Sequence, residues 1–338
     1  MGFFGRKRAP SVPHPRKEPR FDGPLTLERL EQIFQDCVDF TKRPVSLGEG
    51  GACTLTLCYL SGMVKMERVS DYVLRPLAQD EALARCGTPR QAMDRMKDGA
   101  LYNLSAEERT RLDAAVFDLV NGCCLLLFPG ESSVLSLNVG TEEKRSISSP
   151  SNETVLKGSR DAFVESLRTN TSIVRRHLKA PELRIREQVV GRQSVTSVDI
   201  LYIEGLTNPH LVEQVAAQLA DIDIDAVLAT GNIEEYIVPA ARTAFPLVQY
   251  TERSDRFCAG LAEGRVGILI DGLPLGYLAP GVLGDFLQAP QDKSESWLLA
   301  SALTLLRYLC MLGTLLLPAL YVAMVTFHQE MIPTRLAL

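Results

Sequence analysis

One tryptophan and four histidines are spread over 338 residues. His14, His177, His210 and His328 stand far apart, so no local pattern supports a histidine-built metal or acid–base centre. The eight cysteines (Cys37, Cys53, Cys58, Cys86, Cys123, Cys124, Cys258 and Cys310) form no C-x-x-C pair, which excludes zinc-ribbon spacing. Most lie in apolar runs, where a free thiol behaves as a small hydrophobe, and such usage fits a reducing compartment. No G-x-x-x-x-G-K-[ST] phosphate loop, H-E-x-x-H zinc motif or G-x-S-x-G elbow occurs. Asp221, Asp223 and Asp225 alternate with Ile222 and Ile224 but lack the glycine and distal glutamate of a calcium loop. Catalytic residues, metal ligands and cofactors are therefore not expected.

No basic-aromatic stripe is present, and the net charge is −5, which argues against a nucleic-acid partner. The first 20 residues hold Arg6, Lys7, Arg8, Arg16, Lys17 and Arg20, with Phe3-Phe4 as their apolar pair and no hydrophobic stretch behind it. That pattern reads as a disordered basic arm without a signal peptide, and it puts the bulk of the chain on the cytosolic side. With 46% hydrophobic and 23% charged residues, the remainder is expected to fold.

Periodicity predicts a helix over Leu25 to Phe40, a strand over Cys53 to Met63, and a helix from Val64 that stops near Pro76. Ser105-Ala106-Glu107-Glu108 reads as a capping box opening a helix to Asn121. Cys123 to Phe128 and Ser133 to Val139 read as strands around a turn at Pro129-Gly130. After a polar stretch, 141–159, the pattern predicts a helix over Arg160 to Lys179, a strand over Leu183 to Val190, and a strand over Ser197 to Gly205. A helix over Pro209 to Leu219 follows, then a hairpin turning at Asp271-Gly272.

The halves repeat. LCYLSGM (Leu57 to Met63) aligns with ILYIEGL (Ile200 to Leu206), and CCLLLFPGESSVLSL (Cys123 to Leu137) with GILIDGLPLGYL (Gly267 to Leu278). The expected class is α/β, with two related lobes of mixed sheet packed with helices, followed by a transmembrane helix. The divisions are 1–24 for the arm, 25–140 for lobe 1, 141–159 for a linker, and 160–296 for lobe 2. Residues 297–327 form an interfacial and membrane helix, and 328–338 begin the next segment.

Tyr308 to Phe327 carries no charge, and about 20 residues suffice to cross the hydrocarbon core. Arg307 either marks the membrane boundary, its side chain reaching the headgroups, or faces a polar interior shared with other helices. Pro318 permits a kink. Lys293 and Arg335 on either side leave the orientation undecided by charge.

Four segments carry a resemblance: Gly158 to Pro209, Ile222 to Ile237, Phe245 to Pro274 and Leu305 to Leu338. They resemble the A subunit of the GerA family of spore germination receptors, SpoVAF-like members included. The resemblance implies a subunit of the spore inner membrane that joins other copies and partner B and C subunits in a nutrient-gated ion channel. It also implies two related N-terminal lobes facing the spore core. The positions carried over as ligand or subunit contacts are Arg160, Asp161, Asn170, Arg175, Arg176, Glu234, Glu235, Tyr250, Glu252 and Arg253. Gly205, Thr251, Asp271 and Gly272 are motif positions without an assigned contact. Family members continue into further membrane helices, and Gln329 stands where proline is usual, so the chain reads as truncated after its first such helix. The alternative is a singly anchored small-molecule-binding or scaffold module.

Overall fold

The structure is a computed structural model that describes residues 21–47, 53–100, 106–140, 161–225, 247–287 and 296–327. Residues 1–20 of the basic arm, the linker at 141–159, and Arg160, Glu234 and Glu235 lie outside the described residues.

In the first lobe, helix α1 (Leu27–Ile33) starts where the Thr26 hydroxyl accepts from the Arg29 N–H at 3.3 Å. It is shorter than the predicted helix because Asp36 takes a left-handed φ of 56° and turns the chain into strand β1 (Phe40–Ser46). This strand escaped the sequence pattern because it is a mostly exposed edge that tolerates Pro44. Strand β2 (Thr54–Leu60) follows. Helix α2 (Met66–Val69) continues through a wide turn at Ser70–Leu74 into α3 (Arg75–Gln79). There the Arg75 N–H donates to Ser70 O, five residues back, and the widened turn carries the helix past Pro76. Helices α4 (Glu81–Ala84) and α5 (Pro89–Arg95) are capped by Asp80 and Thr88.

The predicted helix over Ser105 to Asn121 is corrected. Ala106–Arg109 forms strand β3, and helix α6 occupies only Leu112–Val120. The Glu108 carboxylate that would have closed a capping box is held by Arg90 at 2.6 Å, Lys97 at 2.7 Å and the Ser133 hydroxyl at 2.8 Å. Those hydrogen bonds, Arg90's foremost, hold it down at about 2. Strands β4 (Cys123–Leu127) and β5 (Val134–Asn138) complete the lobe.

The second lobe repeats the order. Helix α7 (Leu167–His177) precedes β6 (Leu183–Val190) and β7 (Thr196–Ile203). Then come α8 (Pro209–Ala220), β8 (Gln249–Thr251), α9 (Ser254–Ala262), β9 (Val266–Ile270) and β10 (Gly276–Ala279). Here too a predicted helix is shortened. Ala162 bridges Arg253 and the Phe163 N–H donates to Glu252 O at 2.8 Å, so this segment is extended and α7 begins only at Leu167. Phe163 instead packs edge-to-face on Phe257 at 5.3 Å, in space that Gly276 leaves open.

Each lobe holds a five-stranded sheet, ordered β1-β2-β4-β5-β3 in the first and β6-β7-β9-β10-β8 in the second. The two orders superimpose strand for strand, which is the repeat seen in the sequence. All pairs within these sheets are antiparallel, where a mixed sheet was expected. Apolar side chains cover both sheet faces. In lobe 1, Leu55, Leu57 and Leu126 meet α2 to α5, while Cys58, Leu60 and Leu125 meet α1 and α6. In lobe 2, Val198, Ile200 and Ile268 meet α8, while Leu201, Leu269 and Leu278 meet α7 and α9. Each lobe is therefore a helix–sheet–helix sandwich.

A short helix α10 (Leu283–Leu287) leads to α11 (Trp297–Phe327), whose 31 residues form one continuous helix with Pro318 inside it. At 1.5 Å per residue it is about 46 Å long. It is apolar, exposed along its length, and long enough to cross a membrane.

Candidate functional site at the lobe junction

Helix α7 carries the chemistry between the lobes. Its first turn has no cap from its own Ser166. Asp271, in the β9–β10 turn, supplies one instead: its Oδ1 accepts from the Leu167 N–H at 3.0 Å. The carboxylate meets the helix N-terminus, where the backbone dipole favours negative charge. Replacing Asp271 with alanine is expected to cost about 1 kcal/mol, read by thermal or urea unfolding. The turn itself gives Gly272 a φ of 83° and lets its N–H donate to Glu165 O at 2.8 Å.

In the middle of α7, Asn170 is fully buried. Its Oδ1 accepts from the Val164 N–H at 2.8 Å, and its Nδ2 donates to Val164 O at 2.5 Å. It closes the loop that leads into the helix. At the next residue, the Thr171 hydroxyl donates to Asp199 Oδ2 at 2.8 Å. Asp199 sits fully buried on β7, and its Oδ1 has no hydrogen-bond partner. Burial raises its pKa to about 6, against the opposing pull of Thr171 and of Arg168, whose Nη1 lies 3.8 Å away.

At its C-terminal end the helix delivers Arg175. This side chain is fully buried, and its Nε and Nη2 each donate to the Asp39 carboxylate at 3.0 Å. Its Nη1 donates to Leu183 O at 3.0 Å and to Ala180 O at 3.3 Å. Asp39 belongs to lobe 1 and is itself 3% exposed. The pair is thus a two-pronged, dry salt bridge across the lobes. Burial works against the charge on Arg175, and Asp39 more than restores it.

Around this bridge the lobes are joined through backbone as well. The Val38 N–H donates to Ile185 O at 3.0 Å, and the Ile185 N–H to Asp36 O at 3.2 Å. Residues 36–38 so run along the outer edge of β6. Arg184 Nη1 donates to Ile33 O, and Nη2 to Glu204. The Cys37 thiol lies 3.8 Å from both Arg175 and Arg184, but burial outweighs them and raises its pKa. Gly62 adopts a φ of 83°, and a Cβ there would lie 2.9 Å from Ser172 Cβ on α7. Gly62→Ala is expected to cost about 1–2 kcal/mol from the left-handed backbone alone, measured by chemical denaturation.

A groove of about 200 Å³ opens beside this junction, lined by Phe21 before lobe 1, by Arg29, Gln32 and Ile33 of lobe 1, and by Pro181, Glu182, Arg184 and Glu204 of lobe 2. It offers guanidinium and carboxylate groups but pairs no nucleophile with a base, so its chemistry is that of binding. Among the described residues no His, Cys, Asp or Glu cluster is placed to hold a metal.

The residues singled out in the sequence divide by location. Asn170 and Arg175 are fully buried. Arg175, expected to reach a neighbouring subunit or a ligand, turns inward instead because Asp39 supplies its counter-charge. Arg253 is also buried, and its partner is Asp255 at 2.6 Å. Asp161 does not open a helix. Its backbone oxygen accepts from the Ser254 N–H at 3.3 Å and hydroxyl at 3.1 Å, and its carboxylate lies 3.4 Å from His177. Arg176 is half-buried, with Nε donating to Ser172 O, Glu252 is half-buried, and Tyr250 is 59% exposed on edge strand β8. Sequence reasoning missed Asp39, Cys37, Arg184 and Asp199. A usable signal existed for Asp199, a lone carboxylate inside the apolar run Ser197 to Ile203.

Two topologically matched α/β lobes, locked by a buried ion pair and followed by an exposed apolar helix, define a two-lobed domain attached to a membrane-type segment. The model of the Bacillus/Clostridium GerA spore germination proteins matches residues 28–338, and the chain belongs to this family. Spore germination protein KA of Bacillus subtilis (strain 168) is 34% identical over 298 residues, covering 88% of this chain and 54% of that protein. GerLA of Bacillus cereus is 32% identical over 299 residues, covering 88% of this chain and 60% of that protein. The uncharacterized membrane protein YfkQ of B. subtilis is 34% identical over 310 residues, 92% of this chain and 59% of its own. The chain thus spans between half and two thirds of the length of these relatives. The crystal structure of the N-terminal domain of the A subunit of the Bacillus megaterium germinant receptor GerK3 aligns with a TM-score of 0.60 at 27% identity. That alignment covers 76% of this chain and 94% of the GerK3 domain.

Proposed function

We propose that the chain acts as an A-type subunit of a nutrient germinant receptor, anchored by α11 and contributing to an oligomeric, ligand-gated ion channel. The carrying observation is the family match over residues 28–338, supported by the two-lobed domain shared with the GerK3 A subunit. Its partners in this reading are further copies of itself and B- and C-type subunits, in the spore inner membrane with the lobes on the cytosolic or spore-core side. Arg176, Tyr250 and Glu252, which keep surface exposed, are the contacts offered to those partners, together with Arg160, Glu234 and Glu235. The reading is non-enzymatic.

The groove beside Arg184 favours a second reading, a small-molecule-binding or scaffold module without channel activity. The test is deletion of the gene in its spore-forming host, with germination followed by loss of optical density on a nutrient panel. Loss of the response to at least one nutrient is expected. An unchanged response to every nutrient overturns the receptor reading. Calorimetry of the purified chain with the same nutrients separates the second reading, which requires direct binding.

A further inference from the structure

We propose that Val282, Leu283 and Phe286 form a lipid-contacting patch that seats the second lobe on the bilayer surface beside α11. The proposal rests on the reading of α11 as a membrane anchor. These three side chains are 46%, 54% and 49% exposed, and no residue of α10 is buried. Three neighbouring apolar side chains this exposed, next to an apolar helix, mark an interaction surface.

The patch is held stiffly. Asp285 binds Arg265 with contacts that include one of 3.0 Å, and it accepts from the Val282 N–H at 3.1 Å. Arg256 Nη2 donates to Asp285 O at 3.3 Å. Burial alone would raise the Asp285 pKa, but Arg265 and the Val282 amide bring it below the usual value, so the tie is ionic at neutral pH. The polar side of α10 thus faces lobe 2 and its apolar side faces away.

Two contacts fix its height along α11. Arg307 Nη1 donates to Leu287 O at 3.1 Å, and the Tyr308 hydroxyl oxygen lies 3.5 Å from where a Gly284 Cβ would stand. Arginine and tyrosine are the residues that settle at the headgroup boundary. The tilt of helical Cα–Cβ bonds directs the Arg307 side chain towards the N-terminal end of α11. The charge-free run Tyr308 to Phe327, 20 residues, spans about 30 Å, the thickness of the hydrocarbon core. The turns before Tyr308 then rise through the headgroup layer and above it, and the Arg307 guanidinium meets α10 where acyl chains begin. Lipid is the occupant that this depth selects.

The experiment uses the full chain in phosphatidylcholine/phosphatidylglycerol vesicles. Trp297→Phe removes the one native tryptophan, and Phe286→Trp or, in a second protein, Leu283→Trp supplies the reporter. Resistance to alkaline carbonate reads insertion of α11 separately. The expected result is a carbonate-resistant protein whose emission is blue-shifted, and quenched more by lipids brominated near the headgroup than by lipids brominated near the chain ends. A carbonate-resistant protein with water-like emission from both reporters overturns the patch. So does blue-shifted emission without bromine quenching, which buries the patch against protein, within this chain or a second copy of it. Extraction by carbonate overturns the anchoring on which the proposal rests.

Discussion

Replacing Arg175 with methionine is expected to destabilise the chain by about 3–5 kcal/mol, the usual cost of breaking a buried ion pair from one side. The carboxylate of Asp39, 3% exposed, would lose both 3.0 Å hydrogen bonds and stay buried without its counter-charge. The carbonyls of Ala180 and Leu183 would lose a donor as well. Urea unfolding of the full chain in detergent measures the loss. A double-mutant cycle with Asp39→Asn isolates the pair, and the double variant is expected to be less damaged than the sum of the two singles. A loss below about 1 kcal/mol for Arg175→Met would mean that water enters the junction and that the bridge behaves as a surface pair.

Replacing Asp199 with asparagine is expected to stabilise the protein above pH 6 by about 3 kcal/mol, and to flatten its stability between about pH 4 and 6. In the folded chain this carboxyl titrates near 6 rather than 3.8. The folded state therefore holds the proton more tightly than the unfolded state does. No penalty exists below about pH 4, where both states are protonated. The penalty grows as pH rises and is complete above 6, where both are ionised. The groups facing Asp199 are Thr171 and Arg168 from α7, Glu187 from β6 and Asp39 from lobe 1, and the two acids push in the same direction as burial. Asparagine keeps an acceptor for Thr171 and removes the charge. Unfolding free energies of both proteins from pH 4 to 8 provide the check, and parallel curves would refute the assignment.

Much of the fold was legible because it is local. The second half of each lobe is written as two apolar runs around a turn, at Pro129-Gly130 and Asp271-Gly272, and these became β4-β5 and β9-β10. The repeat was visible for the same reason. What escaped was decided at a distance. Phe40–Ser46 has no apolar alternation, and its pairing with β2 makes it a strand. Ala106–Arg109 looked like a helix start until Arg90, Lys97 and Ser133 claimed Glu108. The junction was half legible. Arg175 was singled out, but its partner stands 136 positions earlier, and nothing near Asp39 announces it.

Residues 36–38 have one more consequence. Strand β6 is eight residues long and lies at the rim of its sheet. Its outward amides and carbonyls form a template on which any extended chain can add itself. The loop from lobe 1 pairs with that rim at Ile185, its third residue, through Val38 and Asp36. The first lobe is therefore a built-in shield for the second. Lobe 2 produced without lobe 1 is expected to expose that rim whole and to aggregate more readily than the two-lobed chain, as light scattering would show.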